Sequence, residues 1–142
     1  QFGIESGSQK ILDSINKQID LTDVEKVNKK LANYNIRVRY NFIVGFPDET
    51  ISDINDTINL INKLETDNPN IDPPFVNIYT PYPGTALYST CIAKGYDEPK
   101  TLTDWSQVSW NSVNTNWLDA ETKKYIESLS KKYRENSKYL KS

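Results

Sequence analysis

The sequence predicts an α/β fold in which parallel strands carry flanking helices and a mainly helical extension follows. Three observations predict it. Short runs of β-branched and aromatic residues alternate with stretches of helical spacing, the pattern of parallel strands joined by helical crossovers. One run, residues 37–44, packs Val38, Tyr40, Phe42, Ile43 and Val44 together, as a parallel strand buried on both faces would. That run stops at Gly45-Phe46-Pro47, and helical spacing resumes with Ile51, Ile54, Ile58 and Ile61. The loop between them falls at the strand's C-terminal end, where α/β folds hold their ligands.

The other elements are read in chain order. Residues 2–5 form the end of a strand, and Ser6, Gly7 and Ser8 a loop and cap. Residues 9–16 are a short helix with Ile11, Leu12 and Ile15 inward. Thr22 and Glu25 are spaced as a capping box. The helix they open is predicted to bury Val24, Val27, Leu31 and Tyr34 and to stop at Asn35. After the central strand comes a helix over residues 52–65, then a loop over 68–74 that holds three prolines. FVNIYT, residues 75–80, is the next strand. A short helix over 85–94 ends at Gly95, a C-cap position. Residues 96–117 then collect all three tryptophans, Trp105, Trp110 and Trp117. That segment is expected to cover the bottom of the sheet, the alternative being a lid on its substrate side. Leu118-Asp119 opens a final helix, running to about Leu140, with Thr122, Ile126, Leu129 and Tyr133 on one side and a Lys-rich solvated face opposite.

Composition narrows the function classes. The chain has 142 residues, 37% hydrophobic and 25% charged, with a net charge of −2. That balance gives no electrostatic footprint for nucleic acid or an anionic membrane. No apolar run approaches the roughly 18 residues of a membrane span. With no histidine and one cysteine, Cys91, a histidine base and an internal disulfide are both excluded within these residues, and a zinc site lacks its usual ligands. Cys91 is read as a small core residue. There is no methionine, and the chain opens on the apolar Phe2-Gly3-Ile4. It is therefore expected to begin inside a domain.

Three loops follow the three strands: GIESGS (residues 3–8), NFIVGFPDET (41–50) and YTPYPGT (79–85). In this order and spacing they resemble the C-terminal half of radical S-adenosylmethionine enzymes. The nearest likeness is to the cobalamin-associated group that includes anaerobic magnesium-protoporphyrin monomethyl ester cyclases. The resemblance covers residues 2–105. It implies a partial (β/α) barrel, with residues 1–97 as the C-terminal half of a six-stranded barrel and 98–142 as a Trp-containing segment and long helix. It also implies S-adenosylmethionine and a four-iron four-sulfur cluster as cofactors of a parent enzyme, with cobalamin a further candidate. In that family reductive cleavage of S-adenosylmethionine yields a deoxyadenosyl radical.

Carried over residue by residue, Glu5 and Ser6 resemble the polar pair that contacts the ribose or methionine end of the cofactor. A carboxylate suits a ribose diol or an ammonium group, although Glu5 could equally cap the next helix or pair with a lysine. Ile43 and Gly45 match the family's G-x-I-x-G-x-x-E pattern, in which the strand packs against adenine. The pattern's first glycine is Asn41 here. Its glutamate position is Asp48, with Glu49 one residue on. Tyr79 and Thr80 are expected to line the pocket, while Pro81, Pro83 and Gly84 shape its loop. The cofactor-binding set is therefore Glu5, Ser6, Asn41, Ile43, Gly45 and Tyr79.

One cysteine cannot replace the three that hold such a cluster. This chain alone is thus expected not to turn over. The resemblance makes it a fragment of a cytoplasmic radical enzyme, an iron–sulfur oxidoreductase or cyclase, whose missing N-terminal barrel half is its partner and whose substrate is a small molecule. The free strand edge is expected to self-associate or to be covered by the C-terminal segment. One alternative is a stand-alone binding or assembly module on the same half-fold. Another is an ordinary α/β enzyme using Glu5, Asp48 and Glu49 as acid and base.

Overall fold

The computed structural model describes residues 1–108 and 115–138. Three strands, β1 (Phe2–Glu5), β2 (Tyr40–Val44) and β3 (Phe75–Ile78), form one parallel sheet in the order β1-β2-β3. Helices α1 (Gln9–Ser14) and α2 (Leu21–Leu31) join β1 to β2, and α3 (Ile51–Asp67) joins β2 to β3. Then follow α4 (Tyr88–Ala93), α5 (Leu102–Ser106) and α6 (Ala120–Lys138). The parallel sheet with flanking helices and a C-terminal helix is the fold class the sequence predicts.

Register fixes which side chains share a face. Asn41 pairs with Phe75, Phe42 with Val76, Ile43 with Asn77 and Val44 with Ile78. Successive side chains of a strand point to opposite faces. Ile4, Tyr40, Phe42, Val44, Val76 and Ile78 are buried, and they pack with Ile54, Ile61 and Leu64 of α3 and Ile126, Leu129 and Tyr133 of α6. Burying a side chain as large as Phe42 stabilises the fold by roughly 2–3 kcal/mol. Asn41, Ile43, Phe75 and Asn77 alternate with that set and are only partly buried. The expectation of a central strand buried on both faces is therefore corrected, because the core forms on one face of the sheet.

Two further expectations change in α2. Its N-cap is Asp20, whose carboxylate accepts from the Thr22 amide at 2.7 Å; Thr22 itself lies inside the helix. Val27 and Tyr34 are 49% and 56% exposed, while Asn28 is fully buried. The Asn28 amide donates to the Leu64 carbonyl at 2.9 Å. Its oxygen accepts from the Tyr40 hydroxyl at 2.9 Å and from Asn68 at 3.1 Å. The helix turns a polar residue inward because three partners satisfy it there. It ends at Leu31, short of Asn35.

α3 opens with a capping box between Thr50 and Asp53. α4 begins later than expected, at Tyr88, because Thr85 and Tyr88 close turns onto Tyr82 and Thr85. Gly95 ends it at φ +88°, as its C-cap reading requires. Asp119 caps α6 through the amides of Glu121 and Thr122 at 2.9 and 2.8 Å. Thr122, Ile126, Leu129 and Tyr133 are all buried, as the helical spacing predicts. Trp110 and Leu140 lie outside the described residues.

Candidate functional site

The loops after the three strands gather at one end of the sheet. The first turns sharply: Glu5 has φ +74°, and the β1–β2 register slips between Gly3 and Glu5. Lys17 binds the Glu5 carboxylate at 2.9 Å. Of the two local alternatives for Glu5, the lysine pair is the one formed.

Ser6 is fully buried, and its hydroxyl lies 3.2 Å from that of Thr57 on α3. It also accepts from the Ser8 amide at 3.1 Å. The buried Ser6 hydroxyl thus fastens the loop to α3. The Gly7 amide donates to the Thr57 hydroxyl at 2.8 Å. A Cβ on Gly7 would stand 2.5 Å from the Asp56 carbonyl oxygen and the Thr57 Cα. Ser8 makes no side-chain cap to α1; its hydroxyl donates to Asp53 at 2.7 Å. Asp53 also takes Lys10 at 2.8 Å and the Thr50 hydroxyl at 2.6 Å. Burial raises the Asp53 pKa, but the bonds from Lys10, Thr50 and Ser8 outweigh it and hold the carboxyl well below its usual range.

At the end of β2, Gly45 has φ +91°, open to glycine and strained for other residues. Its amide and that of Phe46 donate to the Glu49 carboxylate, the second at 3.1 Å. Glu49, not Asp48, is thus the acid that folds back onto the loop. Asp48 is exposed at φ +65° and pairs with Lys94 at 2.7 Å. Glu49 is buried, and its Oε1 has no hydrogen-bond partner. Burial pushes its carboxyl up to about 7, against the pull of the two amides. Sequence reasoning missed this clamp, although an acid three to four residues past a glycine turn was its available signal. Glu5, Asp48 and Glu49 are each engaged separately, so nothing unites them as an acid–base pair.

Asn41 and Ile43 share the less buried face of β2, and Asn41 accepts from the Gln1 side chain at 2.9 Å. Tyr79 continues the β3 ladder through its amide, 2.8 Å from the Val44 carbonyl. Its ring lies 4.8 Å from that of Phe46 and 6.3 Å from Trp117. Burial, then Cys91 beside it, pushes the Tyr79 phenol up to about 12. Tyr79 and Thr80 line a cavity of about 460 Å³. Trp117 donates to the Gly45 carbonyl, and Trp105 stacks on Tyr82 in the loop after β3. Both described tryptophans therefore stand at the C-terminal ends of the strands, which corrects their expected place beneath the sheet.

Glu5, Asn41 and Asn77 supply carboxylate and amide groups suited to a diol, an ammonium or a base edge. Ile43 adds an apolar surface between them. This set fits S-adenosylmethionine. It does not fit an iron–sulfur cluster. Among the described residues no group of three or more His, Cys, Asp or Glu side chains could hold a metal, and Cys91 is buried.

Comparison with known proteins agrees with the fold. Residues 1–61 match the family model described as the radical SAM superfamily, so the N-terminal part of this chain is radical SAM sequence. An uncharacterised methyltransferase of Pyrococcus horikoshii is 39% identical over 92 residues, which cover 65% of this chain and 19% of that protein. A tRNA-2-methylthio-N(6)-dimethylallyladenosine synthase of Buchnera aphidicola is 39% identical over 84 residues, 58% of this chain and 18% of its own length. The synthase of the same name from Clostridium tetani is 28% identical over 136 residues, 90% of this chain and 28% of its own length. The chain thus spans between 18% and 28% of these relatives. None of the three bears an oxidoreductase or cyclase name. Among the described residues no helix is long and apolar enough to cross a membrane.

Proposed function

We propose that this chain is the cofactor- and substrate-lining part of a larger radical S-adenosylmethionine enzyme, with residues 1–97 as barrel and 98–142 as an appended cover. The observation that carries this reading is the division of the sheet's two faces. The helices pack on the face of Tyr40, Phe42 and Val44, leaving Asn41, Ile43 and Asn77 on the face that would point into a barrel. On this reading Glu5 receives the ribose or ammonium end of S-adenosylmethionine, Asn41 and Ile43 flank its adenine, and Gly45 lets the backbone approach. Tyr79 closes the substrate side. When bound, S-adenosylmethionine supplies radical chemistry that these side chains only position.

The cluster is held by cysteines outside this chain, in the missing barrel half that is its partner. That half would pair with β1, whose one neighbour among the described residues is β2. The names of the relatives favour methyl or methylthio transfer by the parent over oxidoreduction or cyclisation. Cobalamin use and a cytoplasmic location belong to the proposal on the resemblance alone. The test is the product of the native gene in its native cell. A mass two or more times that of this chain, with bound iron and sulfide, supports the reading. A mass near 16.3 kDa without iron replaces it with a stand-alone binding module.

A further inference from the structure

We propose that the apolar groove between β1 and α2 seats an amphipathic helix of the missing barrel half, one with an apolar face and a basic flank. The inference rests on the reading of this chain as part of a larger radical S-adenosylmethionine enzyme. It names a contact of the missing half other than strand pairing.

The groove lies on the helix-bearing face of the sheet. Phe2 registers with Tyr40, so the two side chains share that face, and their rings stand 5.9 Å apart. Ile19, Val24 and Val27 form the facing wall of a cavity of about 410 Å³. Its floor is closed and its walls are open: Ile4 and Tyr40 are buried, whereas Phe2 and Val27 are 48% and 49% exposed. The other flank of α2 is already occupied. Glu25 and Lys29 pair with Lys63 and Asp67 of α3, and Val27, two residues from each, lies on the opposite side of the helix.

Topology says what belongs there. Both crossovers, from β1 to β2 and from β2 to β3, pack their helices on this face. Parallel neighbours are joined by right-handed crossovers, so a strand added at the free edge of β1 would bring its own helix to the same face, beside α2. That position is the groove. An apolar helix stripe would cover Phe2 and Val27 there as α3 covers the rest of the sheet. The relatives have room for such a helix, since the matched residues are only 18% and 28% of two of them.

Charge sets the flank of the helix and disfavours a second copy of this chain. Asp20 and Asp23 line the groove, and no described lysine or arginine does. Asp23 pairs with Lys26 at 2.9 Å, but both are exposed, where such a pair is weak. A basic flank complements these acids. A two-fold contact between copies would instead set the same acids against each other.

The test is thiol labelling of Val27→Cys, read by peptide-resolved mass spectrometry in this chain and in the anaerobically purified product of the native gene. Lys26→Cys is the control, since that side chain is 72% exposed on the same helix and does not line the groove. Cys91 is fully buried and does not compete. Val27→Cys should label at least about tenfold more slowly in the native product than in the chain, with Lys26→Cys unchanged. A photo-crosslinker carried on the Val27→Cys thiol should capture a peptide of the same polypeptide outside residues 1–142. Equal labelling in a native product two or more times larger than this chain would overturn the inference and leave the parent reading standing. A native product near 16.3 kDa would overturn both. Protection that grows with the concentration of the isolated chain, or capture between two copies, would give the groove to a second copy and overturn the inference.

Discussion

The indole N–H of Trp117 donates to the carbonyl of Gly45 at 3.0 Å, joining residues 72 positions apart. This bond ties the segment before α6 to the end of β2. Just beyond it, Ile126 reaches within 3.1 Å of where a Gly45 Cβ would stand. We predict that Trp117→Phe, which keeps a ring but loses the donor, destabilises by about 1 kcal/mol. Ile126→Ala, which opens a cavity in the core, should cost about 2–5 kcal/mol. Urea unfolding curves for both variants measure this. Wild-type midpoints would show that α6 is not part of the cooperative fold.

Glu49 makes stability depend on pH. Its carboxyl is raised from 4.5 to about 7 in the folded chain. The stability it contributes is therefore complete below pH 4.5 and is lost as pH rises through about 7. A difference of 7 − 4.5 = 2.5 corresponds to about 3 kcal/mol. Asp53 acts in the opposite direction: its carboxyl is depressed from 3.8, so its contribution disappears as pH falls below that value. Denaturation followed from pH 3 to 8 should show maximal stability near pH 4 to 5. Glu49→Gln should flatten the decline above pH 4.5, and an unchanged decline in that variant would refute the assignment.

Gly7 and Gly84 distinguish space from backbone conformation. A Cβ on Gly7 would meet the α3 backbone at 2.5 Å, whereas one on Gly84, at φ +84°, would meet nothing within 4 Å. Gly7→Ala is predicted to destabilise by about 3 kcal/mol or more, because a backbone must move. Gly84→Ala should cost only about 1 kcal/mol, from its conformation alone. Equal losses in thermal unfolding would contradict the close approach of the β1 loop to α3.

Legibility followed the range of the interactions. The strand positions, α3, the buried face of α6 and the turn at Gly95 were readable, because apolar spacing and glycine act over a few residues. The inward face of α2 was not readable. Asn28 is buried there only because Tyr40, Leu64 and Asn68, 12 to 40 residues away, complete its hydrogen bonds. At the candidate site, Asn41, Ile43, Gly45 and Tyr79 could be located from their strands. The burial of Ser6 depends on Thr57, which no local pattern announces. Asn28→Leu, which leaves the Tyr40 hydroxyl and the Asn68 amide without this partner, is predicted to destabilise by about 2–4 kcal/mol in chemical denaturation. A neutral effect would show that water replaces the network.

The loop after β1 is anchored through Ser6, Gly7 and Ser8 to Thr57 and Asp53, across 45 to 51 residues of chain. Closing a loop of that length costs entropy before any of its contacts forms. The turn at Glu5 therefore takes its native shape only once α3 has docked. During synthesis the first candidate site residue to leave the ribosome is therefore held in place only after some fifty further residues have followed it.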